Sequence, residues 1–233
     1  MSVKGEVKKM TTELKEFKGI YGLRETARYL ANTPPLTNGS RVQTSKLRYW
    51  IDASVPLVQG VDLPSRQRLI TFLDLISMRM VVVLRSRGIP LQKIRNTQSW
   101  LRTEFDIPFP LANKGLWTYG HNVYIKFQER IITASKFGQQ AMEFVNNWLR
   151  EAELDMTFGA NELANSWLVH QDVRIDPDIQ LGEPCIDGTR IPTSILWSNH
   201  KAGDSVDSIA KGRNLSLSQV ENAIQWEKRL VAT

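Results

Sequence analysis

The tightest local constraint on folding lies in residues 182–192, which read GEPCIDGTRIP. Two glycines and two prolines in so short a run exclude a continuous helix or strand, because proline fixes φ and lacks an N–H while glycine favours turns. The run therefore predicts a hairpin that turns at Gly188 and a helix that begins at Pro192. The apolar spacing around it predicts short strands and helices at 173–175, 185–191, 206–212 and 218–231.

The front of the chain contains two short amphipathic helices, predicted within residues 20–30 and 42–51 and separated by a loop rich in proline and glycine. Their apolar faces consist of Leu23, Ala27 and Leu30 in the first helix and of Leu47, Trp50 and Ile51 in the second. A longer helix follows at Leu69–Leu84, and a β-hairpin is predicted at Trp117–Phe127.

Charge is distributed unevenly along the chain, although the net charge of the 233 residues is only +6. Residues 1–150 carry 23 basic and 11 acidic side chains, whereas residues 151–200 carry 2 basic and 9 acidic ones. A basic front half suits contact with a polyanion such as DNA. The alternative is that these lysines and arginines only solvate helix faces.

Several classes of function lack support in the sequence. The single cysteine excludes a disulfide framework, and the three scattered histidines form no metal-binding motif. No hydrolase motif and no phosphate-binding glycine loop is present, so we predict a protein that is not an enzyme, without catalytic residues, cofactor or metal. No apolar run is long enough to span a membrane and no signal core is seen, so a cytoplasmic location is expected.

The front half resembles the DNA-binding part of MerR-type regulators, whose second helix commonly ends in Leu-Arg-Tyr-Trp. Leu47, Arg48, Tyr49 and Trp50 stand here in that order, and residues 84–95 resemble the next helix–glycine–helix stretch. The resemblance covers about residues 18–127. It departs from the pattern at Asn32–Arg41, where about ten additional residues lengthen the turn.

This resemblance implies that the second helix enters the major groove of DNA with polar side chains near its N-terminus. The predicted DNA-binding residues are Arg41, Gln43, Thr44, Ser45, Lys46, Arg48 and Tyr49. Leu47 and Trp50 are expected to face the core. The alternative is a folded helical pair that serves only in protein interaction.

The tail resembles a small domain family known as "DUF four-three-three", which is found in VapB-type antitoxins. The family pattern is a Gly-x-Pro-x-x-x-Gly-Thr-Arg-Ile-Pro run, a helix that ends in Ala-Gly, and two further helices. Residues 182–192 fit the run and Ala202-Gly203 fit the helix end. The chain departs from the family at residues 212–214, where Gly-Arg-Asn replaces the usual Tyr-Pro pair.

Together the two resemblances imply a VapB-type antitoxin that neutralises a PIN-like ribonuclease toxin and represses transcription of its own operon. Such a toxin depends on acidic residues that hold a metal ion, so a basic side chain of the antitoxin could enter its site. The predicted toxin-binding residues are Arg190, Lys201, Lys211 and Arg213. For Arg190 a tie to its own hairpin is an equal alternative.

The predicted fold is mainly α with small β-hairpins. A winged-helix or helix-turn-helix domain at the front is followed by a small domain of three helices. The predicted divisions are a flexible tail at 1–15, a MerR-like DNA-binding domain at 16–130, a helical connector at 131–168 and an antitoxin-type domain at 169–233.

A homodimer is expected, because operators read by paired helices favour twofold symmetry. Leu69–Leu84 is the expected dimer surface unless it is ordinary core, and Trp197 and Trp226 are further candidates for exposed dimer contacts. The predicted partners are therefore operator DNA, the toxin and a second copy of the chain, with no membrane. The alternative function is a MerR-type transcriptional regulator that responds to a small molecule and has no toxin partner.

Overall fold

The computed structural model describes residues 18–33, 42–54, 56–62, 68–86, 88–105, 107–114 and 156–232. Arg41 and the predicted hairpin at Trp117–Phe127 lie outside these ranges. Within the described residues the chain forms seven α-helices and seven short strands in two antiparallel sheets. The prediction of a mainly α fold with small β elements is therefore confirmed.

The front half has the arrangement of a winged helix. Strand β1 (Ile20–Gly22) leads into helices α1 (Leu23–Ala31) and α2 (Thr44–Asp52), and strands β2 (Val61–Asp62) and β3 (Arg68–Thr71) follow. Strand β3 pairs antiparallel with both β1 and β2. The β2–β3 hairpin is the wing. Its strand β3 includes residues 69–71, which the sequence predicted as the start of the helix Leu69–Leu84, so that helix begins three residues later than predicted.

Helix α1 begins directly after β1, and its first turn is closed by Glu25. The Gly22 N–H donates to the Glu25 carboxylate at 3.2 Å, and the Tyr29 hydroxyl donates to the same carboxylate at 2.8 Å. A carboxylate in the first turn satisfies a free backbone N–H and interacts favourably with the helix dipole. The face of α1 that was predicted to be apolar points inward, and Ala27 and Leu30 on it are buried.

Helix α3 (Phe72–Ser86) is buried on every side from Phe72 to Leu84. It packs against α1, helix α4 (Leu91–Phe105) and a short 3-10 turn at Pro110–Ala112. A mostly apolar helix that is buried on every side belongs to the core, because it has no polar face to present to water. The alternative of ordinary core is therefore correct for this helix, and the chain's own residues already cover the expected dimer surface.

The tail begins with a four-stranded antiparallel sheet in the order β4-β5-β6-β7. Its strands are β4 (Met156–Phe158), β5 (Ala164–His170), β6 (Val173–Ile175) and β7 (Cys185–Ile186). Residues 156–168 were predicted as part of a helical connector. That prediction is wrong, because these residues form β4 and most of β5. In β5 the buried Ala164 and Ser166 alternate with the exposed Asn165, a pattern with the period of a strand.

Three helices complete the tail: α5 (Thr193–Lys201), α6 (Val206–Arg213) and α7 (Leu217–Ala232). Asn214 ends α6 with φ of 54°, a left-handed conformation that asparagine tolerates. Ser216 and Gln219 then exchange hydrogen bonds of 2.9 and 3.1 Å at the start of α7, as in a capping box. The predicted helix-turn-helix arrangement is therefore present.

One hydrophobic cluster joins the two halves of the chain. It contains α1, α2 and α3 residues of the front together with Trp167, Val173, Ile175 and Trp226 of the tail. Trp226 is fully buried, so it is not the exposed dimer contact that the sequence suggested. None of the helices in the described part of the chain is long and apolar enough to cross a membrane.

Candidate functional site

The outward face of α2 carries the residues predicted to bind DNA. Leu47, Trp50 and Ile51 of this helix are buried against the core, which fixes the direction in which the other side chains point. The exposed or half-buried residues of this face are Gln43, Thr44, Ser45, Lys46, Arg48 and Tyr49. The structure therefore brings six of the seven predicted residues to one face, and Arg41 lies outside the described residues.

The N-terminal end of α2 differs slightly from the prediction. The helix begins at Thr44 with Gln43 as its N-cap residue, and the Gln43 side chain makes no capping hydrogen bond to the backbone. Thr44 and Ser45 are already within the helix. The Lys46 ammonium lies 5.8 Å from the centre of the Trp50 ring, which is cation–π range.

Tyr49 rests on an arginine from another helix. The guanidinium carbon of Arg95 in α4 lies 4.6 Å from the centre of the Tyr49 ring. The same guanidinium donates to the Tyr49 hydroxyl oxygen and to the Tyr49 carbonyl oxygen, both at 3.2 Å. Sequence reasoning missed this partner, because residues 49 and 95 belong to different helices and share no periodic pattern.

The wing is fixed at its base by the buried Asp74 in the first turn of α3. Its carboxylate accepts from the Thr71 hydroxyl at 2.8 Å and from the Gln59 N–H at 3.3 Å. Burial raises the pKa of Asp74, while the hydrogen bonds from Thr71 and from the backbone of Gln59 and Gly60 oppose that rise. The base of the wing and α3 therefore form a single hydrogen-bonded unit.

The predicted toxin-binding residues are all exposed, and they lie on the hairpin and helices of the tail. Lys201 ends α5 with its ammonium 5.7 Å from the centre of the Trp197 ring. Lys211 forms a 2.7 Å ion pair with Asp207 on α6, and Arg213 lies two residues further along that helix. Each therefore presents its charge to solvent.

Arg190 stands in the hairpin that turns at Gly188, where φ is +74°. The hairpin closes through the Ile186 N–H, which donates to Ile191 O at 3.0 Å, and Pro192 then starts α5 as predicted. In the part of the chain that the structure describes, the Arg190 guanidinium has no hydrogen bond or ion pair, and only its carbonyl oxygen accepts, from Gln180 at 3.1 Å. The alternative in which Arg190 ties its own hairpin is not seen.

Comparison with known proteins gives a family match for this tail. The model of the family described as "Protein of unknown function (DUF433)" matches residues 173–226. We call this matched segment the DUF433 domain, after the family that it resembles. It includes the hairpin, all of α5 and α6 and most of α7.

A longer similarity covers most of the chain. A protein of Mycobacterium tuberculosis named "Putative antitoxin VapB45" is 26% identical over 236 aligned positions, which cover 88% of this chain and 92% of that protein. The predicted resemblance to VapB-type antitoxins with a DUF433 tail is thereby confirmed as a resemblance. The crystal structure of RV2018 from the same organism superposes with a TM-score of 0.63 at 23% identity, over 88% of this chain and 96% of that one, and shows that the fold is shared.

The DUF433 domain and the winged helix meet at a close contact between Tyr21 and Gly182. The Tyr21 hydroxyl donates to Gly182 O at 3.2 Å, and Gly182 has φ of +89°. A Cβ atom at position 182 would lie 2.2 Å from the Tyr21 hydroxyl oxygen. Nearby, the Tyr29 and Trp226 rings pack with their centres 6.0 Å apart, and Lys18 pairs with Asp178.

Other chemistry in the DUF433 domain is limited. Cys185 is buried in β7, and burial raises the pKa of its thiol to about 11, as expected for a small structural residue. Among the described residues no group of three or more His, Cys, Asp or Glu side chains could hold a metal ion. A groove of about 580 Å³ between α5, α6 and α7 carries His200, Glu221 and Lys228, a lining of mixed charge.

Proposed function

We propose that this protein is an antitoxin that binds and neutralises a PIN-like ribonuclease toxin and represses its own operon. The observation that carries the proposal is the similarity to a protein named as an antitoxin, which extends across both halves of this chain. A relative that matched the DUF433 domain alone would leave the front half without a role. The protein acts by binding, without catalysis of its own.

Operator binding is assigned to the winged helix. The polar face of α2 includes Lys46 and Arg48, and both side chains are exposed. Basic residues on a groove-reading helix bind phosphates and displace their counterions, while Gln43, Thr44 and Ser45 can reach base edges near the helix N-terminus. The resemblance of residues 47–50 to the Leu-Arg-Tyr-Trp pattern of MerR-type regulators supports the same assignment.

Toxin binding is assigned to the DUF433 domain. Arg190 is exposed on the hairpin and its guanidinium has no hydrogen bond or ion pair among the described residues, so it can pair with a carboxylate without breaking an internal contact. The metal-binding acids of a PIN-like site would supply such carboxylates. The hairpin and α5 would then cover the cleft of the toxin, with Lys201, Lys211 and Arg213 as further contacts.

The active form is proposed to be a homodimer, as paired recognition helices require. Because α3 is buried within one chain, the dimer surface has to lie on other elements. Light scattering at micromolar concentration tests this directly, and a monomer that still binds operator DNA would contradict it.

Co-expression of the full chain with the product of the neighbouring reading frame tests the function as a whole. We expect that the neighbouring protein arrests growth when expressed alone, that the full chain restores growth, and that both proteins purify together. Full-length chains are needed because the two halves share one hydrophobic cluster, so a fragment would expose part of it.

The same experiment distinguishes the antitoxin function from the alternative, a MerR-type regulator that responds to a small molecule. A MerR-type regulator would bind its promoter but would neither restore growth nor purify with the neighbouring protein. Its DNA binding or transcription would instead change when a small molecule is added.

A further inference from the structure

Arg95 is a buried cation beneath an exposed tyrosine. Only 6% of Arg95 is exposed, whereas 57% of Tyr49 is exposed on the outward face of α2. Among the described residues no carboxylate forms an ion pair with Arg95, and its buried Nε has no hydrogen-bond partner. A buried charge without a counterion costs stability, so the presence of Arg95 beneath this exposed helix face suggests a functional role.

The hydrogen bonds of Arg95 fix the direction of the Tyr49 hydroxyl. A guanidinium can only donate, so the Tyr49 oxygen must be the acceptor in the 3.2 Å contact. The hydroxyl hydrogen then points away from Arg95 and is free to donate to a ligand. The second bond, to the Tyr49 carbonyl oxygen, holds the guanidinium against the last turn of α2.

We propose that the Tyr49 hydroxyl, positioned by Arg95, binds one phosphodiester oxygen of duplex DNA. An anionic phosphate oxygen can accept the outward hydrogen and is also attracted by the positive charge of the buried guanidinium. A neutral base edge could accept the hydrogen but would not gain from that charge. Lys46 and Arg48 flank the position on the same exposed helix, so the surroundings are positive. This inference rests on the proposed DNA binding by α2 and assigns Arg95 as a positioning residue for it.

The test compares variants of the full chain on a duplex that carries the promoter of its own gene. Tyr49→Phe keeps the ring over Arg95 but removes the hydroxyl. We expect its dissociation constant to rise about tenfold, the scale of one hydrogen bond to a charged group. The salt dependence should stay unchanged, because the hydroxyl carries no charge.

Arg95→Met should weaken binding at least as much as Tyr49→Phe, and the double variant should bind like Arg95→Met alone, because Arg95 acts through Tyr49. Arg102→Met is the matched control. Arg102 lies two turns further along α4 and donates to Pro108 O at 3.1 Å and to Leu57 O at 3.5 Å, so its loss should lower Tm without changing DNA affinity. Arg95→Lys, which keeps the charge but not the double hydrogen bond, should bind as weakly as Tyr49→Phe, and it replaces Arg95→Met if that variant does not fold.

The results distinguish this inference from the proposed function. If the unmodified chain retards the duplex and Tyr49→Phe binds equally well, this inference is wrong while DNA binding stands. Independent, additive losses in the double variant would also overturn the positioning role of Arg95. If the unmodified chain retards no duplex, this inference fails together with the operator-binding part of the proposed function, while toxin binding is tested separately.

Discussion

The hydroxyl of Tyr21 donates a hydrogen bond of 3.2 Å to the carbonyl oxygen of Gly182, which lies 161 residues later in the chain. Burial raises the pKa of Tyr21 far above its ordinary value, so this hydroxyl stays protonated and remains a donor. Gly182, the first glycine of the DUF433 pattern, therefore contacts Tyr21 of the winged helix in this chain. A change at either residue should affect both halves.

Gly182→Ala should destabilise the protein more than Gly188→Ala. Both glycines have positive φ, which costs alanine about 1–2 kcal/mol. Only at position 182 would the added Cβ also meet the Tyr21 hydroxyl oxygen, at 2.2 Å, while nothing lies within 4 Å of a Cβ at position 188. Overpacking adds about 1–3 kcal/mol, so urea unfolding should show a clearly larger loss for Gly182→Ala. Equal losses would mean that the tyrosine moves aside freely.

Arg190→Ala should weaken toxin binding without lowering stability. Its guanidinium is exposed and makes no internal hydrogen bond among the described residues, so no fold contact is lost. Loss of a charge-assisted contact in the complex costs about 2–5 kcal/mol, which is more than tenfold in affinity. Calorimetric titration with purified toxin and a thermal melt measure the two quantities. A lower Tm with unchanged affinity would restore the hairpin-tie alternative.

Lys46→Gln and Arg48→Gln should each reduce the salt dependence of DNA binding. Six phosphate contacts give a slope of log affinity against log salt of about −5, and each lost contact makes it less steep by about 0.9. Arg213→Gln is the control, because Arg213 lies on α6 of the DUF433 domain and is exposed there. If Arg213→Gln changes the slope and neither Lys46→Gln nor Arg48→Gln does, the DNA contact lies in the tail and the assignment to α2 is wrong.

Acid should remove the stability that the Arg174–Asp187 pair contributes. Arg174 Nε donates to the Asp187 carboxylate at 2.7 Å, and this hydrogen bond is the main reason that the pKa of Asp187 is lowered. The contribution is therefore complete above the ordinary aspartate pKa of about 3.9 and is lost as pH falls through the lower folded value. Since Asp187 is partly exposed, it amounts to about 1 kcal/mol or less.

The comparison for this pair is Asp187→Asn at about pH 7 and at about pH 3, with urea unfolding as the measurement. The variant should be less stable than the unmodified chain near neutral pH, and the gap should narrow in acid, as the pH approaches the lowered pKa of Asp187. A gap that stays constant with pH would mean that the carboxylate charge contributes nothing.

Local patterns predicted the parts of the fold that depend on neighbours in sequence. The apolar spacing of Leu47 and Trp50 fixed which face of α2 is inward, and Gly188 and Pro192 marked a turn and a helix start that the structure contains. The wing could not be predicted in this way. Strand β2 has only two residues and pairs with β3. Strand β3 is held in turn by β1, whose residues lie about fifty positions earlier in the chain, so no local pattern reveals the pairing.

The same limit applies to the candidate site. Its exposed members, such as Arg48, follow from the helical period of α2, but the buried Arg95 is defined by the packing of α4 against α2. The strand β5 was missed for another reason. Its alternation is interrupted, since Ser166 and Trp167 are adjacent and both buried, so a period-2 pattern is weak there.

The shared core also sets the order in which a newly made chain can complete its structure. Tyr29 of α1 packs on Trp226 of α7, close to the end of the chain. At a translation rate of about 5–20 residues per second, the residues between them take about 10–40 s to synthesise. Throughout that interval Tyr29 on the nascent chain lacks the Trp226 ring, so the core of the winged helix is completed only after α7 has been synthesised.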